Sequence, residues 1–155
     1  MARNNRNNHK HKREQQIPDE INNIVNTFNS SKMLSKMDMK ELVNINGIAY
    51  NVAGYAVDEG IKTNQLRNFF GFVKKMERRT SWEKIEPEFH LLKPRMAVKV
   101  GRKDGITEGF FKVICSAMDK VDVGSEKEKL DNFKRFIEFF ESIVAYHKYL
   151  GGGDL

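Results

Sequence analysis

The chain has 155 residues, 39% of them apolar, and 27 Lys and Arg against 21 Asp and Glu give it a formal charge of +6. One domain with one core is the expectation at this length; only three prolines argue against a turn-rich β fold, and the lone cysteine, Cys115, excludes an internal disulfide and fits a reducing compartment. The charged N-terminus lacks the apolar stretch of a signal peptide and no apolar run approaches the roughly 18 residues of a membrane span, so a soluble, cytoplasmic protein without membrane contact is expected.

Residues 1–16 are polar after Ala2 and cannot bury enough surface to offset the entropy of ordering, which predicts a disordered basic tail. Residues 17–36 read as an N-terminal extension that accommodates a short helix starting at Pro18, with Ile17, Ile21, Ile24, Val25 and Phe28, ended by Ser30 and Ser31. A bundle domain of about five helices follows over 37–150. Asp38 and Glu41 have capping-box spacing and open the first helix, roughly 39–59. Its inner stripe is Leu42, Ile45, Ala49, Val52 and Ala56, and Gly60 stops it. Gly47 and Gly54 either weaken it or allow close packing.

Thr63 is the expected N-cap of the second helix, roughly 64–79, with Leu66, Phe69, Phe70, Val73 and Met76 inward. Thr80 and Glu83 suggest another cap, opening a third helix over about 81–101 with Ile85, Phe89, Leu92 and Met96 inward. Pro94 is expected to kink or split that helix, and Gly101 to close it. A fourth helix spans about 106–121, with Ile106, Phe110, Val113, Ile114 and Ala117 inward. The fifth runs about 126–149 behind a Ser125–Glu128 capping box, with Leu130, Phe133, Ile137, Phe140, Val144 and His147 on one face. Residues 151–155, GGGDL, read as a flexible tail. The fold class is all-α.

Charge is unevenly spread. Residues 61–103 hold twelve positive and four negative charges, a net of +8, whereas 17–60 and 104–155 each sum to −3. Such a localised cationic segment is the footprint of a phosphate-backbone binder. Arg67, Lys74, Lys75 and Arg78 recur at i, i+7, i+8 and i+11 on the outer face of the second helix, with Lys62 just before it. Arg95, Lys99, Arg102 and Lys103 form a second stripe on the third. No surface aromatic is expected among them, since Phe69 and Phe70 read as core and Trp82 as helix-end packing. Sequence-tolerant backbone contact without base stacking is therefore predicted.

Motifs for chemistry are missing. His9 and His11 lie in the tail, His90 is alone without an evident positioned partner, and His147 falls on an apolar face. Cys115 reads as a buried small hydrophobe. GRKDG at 101–105 is no phosphate loop, and no Cys/His set has zinc spacing. No catalytic residue, metal, cofactor or small-molecule substrate is expected. A helical DNA-binding regulator, or another nucleic-acid-binding scaffold, stays open as an alternative. So does a structural protein whose acidic ends and basic middle stack head to tail.

Three segments add a resemblance. KTNQLRNFF at 62–70, LLKPRMAVKVGRKD at 91–104 and FFESIVAYHKY at 139–149 are similar, in order and spacing, to the small subunit of the type III-A (Csm) CRISPR interference complex. Residues 1–36 are an extension relative to that family. The resemblance implies a non-catalytic helical bundle whose copies stack into a filament. That filament would lie beside the backbone subunits that hold the guide RNA and contact the guide RNA–target RNA duplex. It further implies that cleavage belongs to the backbone subunit and nuclease and cyclase functions to the large subunit. Arg67 and Arg102 match the arginines of the first two segments and carry the implied RNA contact.

Overall fold

A computed structural model describes residues 17–103 and 105–153. The expected disordered tail, 1–16, and the last two residues of the expected flexible end lie outside the described residues. In chain order the helices are α1 (Asp19–Ser30), a 3-10 turn (Leu34–Lys36), α2 (Met39–Val43), α3 (Ile48–Asp58), α4 (Thr63–Met76), α5 (Trp82–Gly101), α6 (Glu108–Met118) and α7 (Glu126–Tyr149). No strand occurs among the described residues. The fold of the described residues is all-helical as expected, with six helices of eleven residues or more among them rather than about five.

The 24-residue α7 is the central post. Its start follows from local chemistry: Ser125 Oγ accepts from the Glu128 amide at 3.2 Å, and the Glu128 carboxylate accepts from the Ser125 amide at 3.1 Å. These bonds hold the Glu128 carboxyl below its usual range. Phe133, Phe136, Phe139 and Phe140 of α7 are all buried. Four surrounding helices each set a ring against them. Phe28 of α1 meets Phe139 at 5.4 Å, Phe69 of α4 meets Phe140 at 5.1 Å, Phe89 of α5 meets Phe133 and Phe136 at 5.9 Å, and Phe110 of α6 meets Phe140 at 6.3 Å. Each buried ring contributes roughly 1.5–3 kcal/mol by leaving water, and edge-on pairing adds about 0.5–1.5 kcal/mol.

Polar side chains of α7 then fasten the connecting segments. The Asn132 amide oxygen accepts from the Ser35 N–H at 2.8 Å. Arg135 donates to the Met37 carbonyl at 3.0 Å, and the Tyr146 hydroxyl to the Val43 carbonyl at 2.6 Å. His147 Nε2 lies 2.7 Å from the Ile61 carbonyl. Helix α1 follows Pro18 as expected; Ile21, Ile24 and Phe28 are buried and the helix packs on α6, so it is part of the body.

Several expectations are corrected. The predicted 39–59 helix is two helices, broken over 44–47. Asn46 sits at φ 66°, a left-handed conformation that an asparagine tolerates, and a Cβ at Gly47 would come 2.6 Å from the Glu41 carbonyl oxygen. Ile45, expected inward, lies on this break and is 62% exposed. At its N-terminus Asp38 accepts from the Lys40 amide at 2.9 Å, a simple cap. Thr63 does not cap α4: its side chain turns inward, fully buried, and Lys62 takes the cap position. Pro94 neither splits nor ends α5; it and Pro87 are exposed, where water can reach the carbonyls left without an amide partner. Ile106 is buried as expected but precedes α6, which is shorter than predicted. Phe70, Leu130, Val144 and Cys115 are half-buried rather than buried.

Candidate nucleic-acid interface

Helices α4 and α5 are joined by the short loop 77–81, so the start of α4 lies near the end of α5. A Cβ at Gly105 would strike the Gln65 side chain, which confirms the proximity. Arg79 stiffens the loop by donating to the Lys84 carbonyl at 3.1 Å and pairing with Glu88. Leu66, Phe69, Val73 and Met76 commit one side of α4 to the core. Arg67, Lys74 and Arg78 consequently project from the opposite side, and all are exposed. Lys62 is exposed at the helix start, where its amide donates to Gln65 Oε1 at 3.1 Å.

Lys75 and Arg95 converge on a residue that the sequence reading placed nowhere. Phe72 is 43% exposed, with the Arg95 guanidinium carbon 5.2 Å and the Lys75 Nζ 6.0 Å from its ring centroid. Lys99 lines the same small groove between α4 and α5. The expectation of no surface aromatic in the patch is therefore wrong. Residue 72 falls three after Phe69 and four before Met76, at the edge of the buried stripe, so helical spacing alone reads it as inward, and it is the way α4 packs against α5 that leaves it exposed. Trp82, by contrast, is buried against Phe89 and Phe133, as expected. On α5, Leu91 and Val98 are 47% and 49% exposed and alternate with Arg95 and Arg102 at i, i+4, i+7 and i+11.

Arg102 and Lys103 are exposed beyond the end of α5, Lys103 at φ 56°. Lys103 does not join the Phe72 cluster. It borders a separate hollow of about 450 Å³ with Ile17, Tyr55, Glu59 and Thr107. There the Tyr55 hydroxyl donates to Glu59 at 2.6 Å, and burial first, then this carboxylate, push the phenol well above its ordinary value.

Electrostatics separates the cations into two groups. Among the described residues, Lys74 pairs with Glu77 at 2.8 Å, and Arg79 and Lys93 pair with Glu88 and Asp119. The Glu77 hydrogen bond raises the exposed Lys74 ammonium above its usual value. Arg67, Lys75, Arg78, Arg95, Lys99 and Arg102 form no ion pair among the described residues, and the same holds for Lys62 and Lys103. Eight of the nine expected contact residues are thus available to an external anion.

His90 gains a partner that the sequence did not reveal. Its Nε2 lies 3.0 Å from Asp122 and 3.7 Å from Glu86, and Asp122 also pairs with Lys129 at 3.2 Å. The ligand atoms of Glu86, His90 and Asp122 all lie within 4.8 Å of one another. Among the described residues no helix is long and apolar enough to cross a membrane.

The fold and these side chains define a small all-helical protein whose described cations without an ion pair are concentrated on a helical hairpin. Residues 36–153, well over half of the chain, match the family Csm2 Type III-A. The chain belongs to that family and is a small subunit of the type III-A CRISPR (Csm) complex, a structural component that associates with the other Csm subunits. No curated protein and no solved structure matches the chain.

Proposed function

We propose that this subunit is a non-catalytic RNA-binding component that lays its α4–α5 face along the phosphate backbone of the guide RNA–target RNA duplex, inside the cytoplasm. The observation that carries this reading is the set of unpaired cations on that face: Arg67, Arg78, Arg95, Lys99 and Arg102 have no carboxylate partner among the described residues. Cations held apart from internal acids lose little on meeting phosphate, and release counterions when they do. The acidic flanks on either side of the basic segment support head-to-tail association of copies, a heterologous contact that propagates into a filament.

The test is fluorescence anisotropy of a labelled RNA against the purified full chain over a salt series, with a matched DNA duplex in parallel. Sequence-tolerant binding that weakens steeply with salt is expected. Preference for one DNA sequence over RNA would favour a DNA regulator, and no binding to either at low salt would remove the RNA reading.

A further inference from the structure

We propose that Phe72, framed by Arg95 and Lys75, is a stacking site for an unpaired RNA base. The inference rests on the RNA-binding reading and adds to it a contact with a base, where the reading itself needs only phosphates.

A phenylalanine that stays 43% exposed on a helix otherwise well packed has lost much of the benefit of burial. Phe72 does so between two cations, with the guanidinium carbon at 5.2 Å and the ammonium at 6.0 Å from the ring centroid. A third cation, Lys99, lines the groove at its edge, and among the described residues no carboxylate lines that groove. A ring ringed by positive charge matches the chemistry of a nucleotide, in which each planar base is flanked by phosphates. The base would stack on the open part of the phenyl ring, while Lys75, Arg95 and Lys99 meet the flanking phosphates. Stacking of this kind is indifferent to base identity, because every base has a π face. A fully paired base offers no such face at its edge, so the site selects unpaired nucleotides.

The experiment measures affinities of the full chain for three labelled RNAs: a single strand, the same strand with abasic sites in its central stretch, and a fully paired duplex. Variants are Phe72→Ala, Phe72→Leu and Phe72→Trp, with Arg67→Glu as the backbone control and thermal melts to verify folding. Phe72→Ala is expected to weaken single-strand binding by about tenfold, within the range for loss of one stacked base, and to leave the abasic strand and duplex unchanged. Phe72→Leu should not restore binding, whereas Phe72→Trp should, with quenching of the added indole on RNA addition. Equal losses on base-bearing and abasic strands would overturn the proposal, since the ring would then only prop its cations. So would an unchanged affinity for the single strand, or a Phe72→Ala defect confined to assembly with other Csm subunits. Failure of wild type to bind any of the three RNAs would remove the RNA reading itself; weakening by Arg67→Glu alone would leave that reading standing and remove only the stacking site.

Discussion

Thr63 Oγ1 lies 3.0 Å from Nδ1 of His147, 84 residues further along the chain, and both side chains are fully buried. The other ring nitrogen faces the Ile61 carbonyl at 2.7 Å, an oxygen that can only accept, so Nε2 carries a hydrogen. In the neutral ring Nδ1 then accepts from the threonine hydroxyl. This joins the α3–α4 connection to the last turn of α7. The chain end is drawn in as well, since the Thr63 amide donates to the Gly153 carbonyl at 2.8 Å. Thr63→Val keeps the shape and removes the donor, leaving a buried ring nitrogen unsatisfied. A loss of about 1–3 kcal/mol in urea denaturation is expected. Thr63→Ser should recover most of it, and a Val variant as stable as wild type would show that the hydroxyl contributes nothing.

Asn132 does the same work in the opposite half of α7. Its side chain is fully buried and satisfied three times: it accepts from Ser35 N–H at 2.8 Å and donates to the carbonyls of Val121 at 3.1 Å and Val123 at 3.2 Å. Asn132→Asp keeps the acceptor but sets a carboxylate against two carbonyls; Asn132→Leu strands all three backbone groups. Either should cost about 3 kcal/mol or more, read as a lower denaturation midpoint. The carbonyls of 121 and 123 and the amide of 35 should gain the most hydration, so amide exchange at Ser35 should rise first.

What the sequence made legible follows the range of the signals. The bounds of α7 are local, set by a Ser125–Glu128 box and a repeating Phe and Ile stripe, and the structure has them where they were expected. Thr63 has the right chemistry for a cap, yet His147 competes for its hydroxyl from across the fold, a partner no local window contains. Asn132 looks like an ordinary polar position beside Phe133 because its three partners lie outside its own helix, Ser35 far back in the chain and Val121 and Val123 in the loop before α7. Asn44, Asn46 and Gly47 within four residues did mark the break between α2 and α3, and the apolar periodicity running through them hid it. At the candidate interface the cations were readable from charge and spacing. Which of them lack an internal acid, and the ring that sits among them, depended on how α4 meets α5.

Asp122 couples stability to acid. Partial burial raises its pKa, but hydrogen bonds from Lys129 and His90, together with their charges, outweigh that and hold the carboxyl below its ordinary value. A carboxylate depressed in the folded state stabilises at any pH above its unfolded value and stops doing so as pH falls through its folded value. The groups facing it are Lys129 and His90, with Glu86 behind the imidazole. Asp122→Asn should therefore be less stable than wild type at neutral pH, with the gap closing only as pH drops below about 4. Paired denaturation curves across acid pH measure it. A gap that is constant through that window would mean the charge of Asp122 is not what stabilises the junction.

The salt dependence of RNA affinity tests the interface residue by residue. Each phosphate contact made by a lysine or arginine contributes about 0.7–0.9 to the slope of log affinity against log salt. Arg102→Gln and Arg95→Gln remove exposed cations that form no ion pair among the described residues, so folding should be little disturbed. Each should lower the slope by about one contact and weaken binding alike for every RNA sequence. Lys74 is the internal comparison: Glu77 already engages it at 2.8 Å, and moving its ammonium to a phosphate sacrifices that pair. Lys74→Gln should consequently change both slope and affinity less than Arg102→Gln. If Lys74→Gln has the larger effect, the outer face of α4 around Glu77, rather than the Arg95–Arg102 side of α5, is where the RNA backbone runs.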